Sequence, residues 1–212
     1  MTARTNNLAR LLLAAALLIT LAAATALAQD NQMQGMGGGR VDKRKLTTVQ
    51  AATVDVGKTK RAVEVRYLNL PFGEATFGYI ETGNDPSNQG YYAGRTWPIA
   101  HLKLNAPATW AGKKLAPGDY AIVITPANPK ENKGMLLSLA SFTPGEGGTF
   151  LKAGDVFVET PKDANIIVTK PIKFDKGAPA VDHLVIETAR TGRKVWLKFH
   201  YGDRTLSEAL TL

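Results

Sequence analysis

The chain of 212 residues contains no cysteine. That excludes disulfides, thiolate nucleophiles, zinc ribbons and iron–sulfur sites. It also excludes an acylated lipoprotein anchor, which needs a cysteine at its cleavage point. A core of this size holds without covalent staples, so the absence is compatible with export. Histidine is scarce, at three residues. No serine lies in a G-x-S-x-G elbow, and the glycine-rich loop Thr143–Thr149 lacks the Gly-Lys-Ser/Thr of a phosphate cradle. Helix caps followed by a 3.6-residue apolar period are missing from the body of the chain. Twenty glycines and 11 prolines are near average, so the chain is neither collagen-like nor disordered throughout.

Long apolar runs are absent everywhere except at the start. Met1 to Arg10 carries Arg4 and Arg10 and no acid, Leu11 to Leu27 is almost entirely Leu and Ala, and Ala26-Leu27-Ala28 has the small-x-small form of a signal-peptidase site. The expectation is a signal peptide over residues 1–28, cleaved after Ala28, and a periplasmic or extracellular address. No transmembrane segment is expected after processing. Residues 29–44 are Gly-, Met- and Gln-rich and aperiodic, which predicts a flexible linker. Met33 and Met36 without a histidine do not make a copper site.

Without Arg4 and Arg10, 24 basic residues face 18 acidic ones, a net charge of +6. The surplus suits an anionic partner such as an envelope polysaccharide or an anionic lipid surface, with a protein partner as a further candidate. The basic residues are scattered, and with an export address this argues against nucleic acid.

Residues 45–212 are expected to form a single all-β domain. Turn residues recur every 8–15 positions and β-branched and aromatic residues cluster between them. The predicted strands are Val49–Val56, Arg61–Asn69, Ala75–Glu81, Ile99–Leu104, Tyr120–Thr125, Met135–Phe142, Val156–Thr160, Asn165–Thr169, His183–Thr188 and Val195–His200, with a last one near Leu206–Leu212. Such a series indicates an antiparallel β-sandwich of Greek-key or immunoglobulin-like type, with a barrel as the alternative. Alternation in Arg193–Tyr201 puts Val195, Leu197, Phe199 and Tyr201 in the core and Lys194, Trp196, Lys198 and His200 outside. Leu115-Ala116-Pro117-Gly118-Asp119-Tyr120 and Leu151-Lys152-Ala153-Gly154-Asp155-Val156 share one form, each followed by a strand ending in Thr-Pro. Pro117-Gly118 suits a type II turn. Tyr120 suits a tyrosine corner, in which the hydroxyl returns to upstream backbone. On this reading Asp119 and Asp155 are turn residues.

The segment Trp110-Ala111-Gly112-Lys113-Lys114-Leu115-Ala116-Pro117-Gly118-Asp119-Tyr120, running on to Pro126, resembles the central part of a bacterial secreted family catalogued as domain of unknown function 2911. Arg95-Thr96 upstream and the late strands Val181–Thr188 and Val195–Tyr201 fit its pattern as well. The likeness spans roughly Val49 to Leu212. The chain departs from the family at Trp97-Pro98-Ile99-Ala100 and at Leu70-Pro71-Phe72-Gly73-Glu74. The resemblance implies secretion and a β-sandwich. It supplies no catalytic residue.

Candidate contact residues follow from exposure and chemistry. The loop Glu81–Tyr92 is polar and ends in Tyr91 and Tyr92, which suit stacking against sugars. Arg95 and Trp97 adjoin it. Trp196, with Lys194, Lys198 and His200, forms a second group. These favour a non-catalytic protein that binds an envelope polymer, glycan or protein partner, without a cofactor. The alternative is a hydrolase or metal-dependent enzyme using His183, Glu187 and His200, since two imidazoles and a carboxylate are a known metal set. His101 stands alone in the sequence.

Overall fold

The computed structural model describes residues 49–85, 96–146, 148–151 and 159–212. The expected signal peptide, the linker, Tyr91, Tyr92, Arg95 and most of the predicted strand Val156–Thr160 lie outside the described residues.

The architecture is a two-sheet antiparallel sandwich, and neither sheet closes into a barrel. One sheet has six strands in the order β1 (Val49–Val56), β2 (Thr59–Leu68), β3 (Trp97–Leu104), β6 (Gly118–Thr125), β7 (Leu136–Ser141) and β8 (Asn165–Pro171). The other runs β5 (Lys113–Leu115), β4 (Ala108–Trp110), β10 (Lys194–Thr211) and β9 (Asp175–Thr191). The hairpin β4–β5 is an excursion to the second sheet between two neighbours of the first. Its turn, Ala111-Gly112, has φ of 46° and 78°, the double positive φ of a type I′ turn that matches strand twist.

β10 is the least ordinary element. Eighteen extended residues would reach about 60 Å, yet the amide of Leu212 donates to the carbonyl of Arg193 at 2.9 Å, and Arg193 Nε donates to the Leu212 carbonyl at 2.7 Å. The strand therefore doubles back on itself. Gly202, at φ 63°, lies at the reversal. The runs Val195–His200 and Leu206–Leu212, predicted as separate strands, are its two limbs. Val195, Leu197 and Phe199 on one limb and Leu206 and Leu210 on the other are buried.

Between the sheets lies one main core, with Val63, Val65, Leu102, Ile122, Leu137, Leu139, Ile186, Val195, Leu197 and Phe199 at its centre. The Tyr120 hydroxyl donates to the Ala116 carbonyl at 2.7 Å, so the expected tyrosine corner is present. The turn before it differs from expectation. Gly118 has φ 159°, nearly extended rather than the roughly +80° of a type II turn, because it already pairs with Leu104 as the first residue of β6.

One predicted strand is a helix. Residues Ala75–Glu81 belong to α1 (Glu74–Thr82), which buries Phe77, Tyr79 and Ile80. Its N-cap, Gly73, offers no side-chain acceptor, and its C-cap, Gly83, adopts φ 72° and donates to the Tyr79 carbonyl. Composition rich in Thr, Phe, Tyr and Ile suggests a strand, but burial of Phe77 and Ile80, three apart on a helical face, decides the outcome. Arg204 of β10 locks the helix in place. It is buried, donates through both terminal nitrogens to the Glu74 carboxylate at 3.1 and 2.6 Å, and lies over the rings of Phe77 and Phe72 at 4.8 and 5.4 Å. Burial works against the charge, but the Glu74 carboxylate, with Asp203 and Glu81, outweighs it and raises the Arg204 pKa.

Candidate functional site

The outer face of the β9–β10 ribbon carries the group built around Trp196. Register sets Trp196 opposite Ala189, Lys198 opposite Glu187 and His200 opposite Val185. Since alternate residues share a face, Lys194, Trp196, Lys198 and His200 form one row and His183, Val185, Glu187 and Ala189 form the next. Trp196 is half-buried and Lys198 is exposed. The Lys194 ammonium lies 5.8 Å from the centre of the Trp196 ring, within range of a cation–π contact. Ala189 beside the indole is too small to cover it. His200 Nε2 is buried without a hydrogen-bond partner among the described residues, so its ring is held by packing.

His183, Glu187 and His200 thus share a surface without converging. Val185 lies between His183 and Glu187 along β9, and Lys198 is the direct partner of Glu187. His183 turns to its neighbour: its Nδ1 is 2.8 Å from Asp182 Oδ1. The hydrogen bond from His183 holds the Asp182 carboxyl below its ordinary pKa. No three His, Cys, Asp or Glu side chains are grouped to hold a metal ion among the described residues. Trp97 packs against the main core, with its ring 5.8 Å from that of Tyr79.

Sequence reasoning missed two polar clusters. His101 is not alone. It is 1% exposed on the outer face of the six-stranded sheet, with Nε2 2.7 Å from Asp119 Oδ1. Asp119 is therefore more than a turn residue. Phe142 and Phe150 cover the imidazole at centroid distances of 5.0 and 6.2 Å. Glu64, buried, pairs with Arg66 on the adjoining β2, and Arg66 is the register partner of His101. A carboxylate only accepts, so Nε2 carries the hydrogen and Nδ1 holds the lone pair. Nδ1 has no partner among the described residues. An oriented imidazole is half of a general-base device, but here its free nitrogen lies in a buried, aromatic-lined site.

The second cluster crosses the sandwich. Glu208 of β10 is 5% exposed and accepts from Lys170 Nζ of β8 at 2.7 Å and from Trp110 Nε1 at 3.3 Å. It borders the same core gap as Leu102, Leu137, Leu197 and Phe199. A carboxylate so placed persists only if paired, which fits a structural tie between sheets. Nothing in local sequence spacing signals it, because 38 and 98 residues separate the partners.

No family model, curated protein or solved structure matches the chain. Among the described residues no helix is long and apolar enough to cross a membrane.

Proposed function

We propose that the protein is exported, is not a catalyst, and binds an anionic polysaccharide of the bacterial envelope through the outer face of the β9–β10 ribbon. The row Lys194, Trp196, Lys198 and His200 carries this reading. An indole gives a flat apolar surface for a sugar ring. Lysines two positions to either side place positive charge about 7 Å along the strand from the indole and about 13 Å from each other, so that acidic groups flanking a stacked sugar meet a cation at either end. The signal-peptide pattern of residues 1–28, the net charge of +6 beyond it and the resemblance to a secreted family support the address.

Fluorescence titration tests the proposal. Acidic glycan should shift Trp196 emission, added salt should weaken the response, and Trp196→Ala should reduce affinity at least tenfold with Trp97 and Trp110 unchanged. Neutral glycan and vesicles of anionic phospholipid are the comparisons. Silence at millimolar acidic glycan, an equal response in Trp196→Ala, or binding to the vesicles alone would reject it.

A further inference from the structure

We infer that His101 is a proton-sensitive latch holding an aromatic cover, the rings of Phe142 and Phe150, on the outer face of the six-stranded sheet, and that acidification loosens this cover. The geometry makes the neutral ring the fitting one. Its single N–H donates to Asp119, and the bare Nδ1 is buried without a partner among the described residues on a ring packed against Phe142 and Phe150. A second proton would make Nδ1 a buried donor with no acceptor among the described residues, which is costly.

The surrounding charges do not remove that cost. Asp119 faces the imidazole from β6, and Glu64 and Arg66 face it from β2. Lys103 lies two residues along its own strand, in register with both Glu64 and Asp119. Glu64 is already paired with Arg66, and Asp119 is already bonded to the neutral imidazole. Phe142 and Phe150, the parts of the cover that meet the ring, are uncharged. Burial pushes the His101 pKa below the ordinary imidazole value against the opposing pull of Asp119.

The cover is also separable from the rest. Phe142 and Phe150 stack edge to face at 5.3 Å and join Ala121, Val123 and Ala164 in a small cluster distinct from the main core. Such satellite clusters open at lower free energy than the centre of a domain.

Amide hydrogen exchange at Phe142, Thr143 and Leu151, whose amides donate to Asp119, Asp163 and Thr149, corrected for intrinsic rate, tests the latch. Between pH 7.5 and 5 protection there should fall at least tenfold while β6 stays protected. His101→Gln, which retains an amide donor but gains no proton, should abolish the fall. Phe150→Ala should loosen the cover already at pH 7.5. If His101→Gln does not fold, NMR titration of the wild-type His101 ring decides, with a midpoint below about 6.5 that coincides with the loss of protection. Constant protection, an equal fall in His101→Gln, or a His101 midpoint above the ordinary imidazole value would overturn the inference.

Discussion

Replacing Gly202 by alanine isolates two separate costs at the reversal of β10. The first is conformational: at φ 63° a side chain is disfavoured by about 1–2 kcal/mol. The second is steric. A Cβ on Gly202 would lie 2.6 Å from two carbons of the Phe72 ring, and that ring is held edge-on by Tyr201 at 5.0 Å and lies against Arg204. It has little room to retreat, so overpacking adds about 1–3 kcal/mol. The sum, about 2–5 kcal/mol, is a large part of the stability of an ordinary domain and lowers Tm on the order of 10 °C. Chemical denaturation of wild type, Gly202→Ala, Phe72→Leu and the double variant separates the two. Phe72→Leu removes the steric part, so alanine should cost only the conformational part in that background. A Gly202→Ala variant within about 0.5 kcal/mol of wild type, or one equally harmful with and without the Phe72 ring, would refute the reasoning.

Other outcomes follow from the same contacts. Tyr120→Phe removes the corner hydrogen bond to Ala116 and should cost about 1 kcal/mol in urea unfolding, with the fold unchanged by circular dichroism. Lys170→Met leaves the Glu208 carboxylate buried with only Trp110; because Lys170 is one-third exposed, the loss should be about 2 kcal/mol at pH 7 in urea unfolding. For His101 the folded state binds its proton less readily than the unfolded chain. Its contribution is therefore complete above about pH 6.5 and is lost as pH falls from there through the lower folded value. The wild type should lose stability over that window relative to His101→Gln.

Much of the fold is legible in the residues because the period of two is so regular. β1 runs over Val49–Val56, and the inward and outward sets of Val195–His200 follow from alternation alone. The hairpin β4–β5 escapes because three-residue strands carry too little pattern to stand out, although Ala111-Gly112 marks its turn. α1 escapes because its N-cap is glycine and its residues favour strands, so its clearest sign is the glycine stop at Gly83. The Trp196 row is readable because it lies along one strand. The pairings His101–Asp119, Arg204–Glu74 and Glu208–Lys170 are set by which strands become neighbours, and no local spacing encodes that.

The corner between the sheets has a kinetic consequence. After β2 the chain crosses to β9, where the Phe72 amide donates to Asp182, the Leu184 amide donates to Leu70, and Pro71 bridges His183. The Tyr201 hydroxyl then bonds the Pro71 carbonyl at 2.6 Å from 130 residues away. None of these bonds can form until both ends of a very long loop have met, and that search precedes any reward. Refolding should accordingly be slow for a domain of this size. An N-terminal fragment stopping before Asp175 would leave the far side of Leu70–Phe72 without its ladder, a sticky intermediate for as long as synthesis is incomplete.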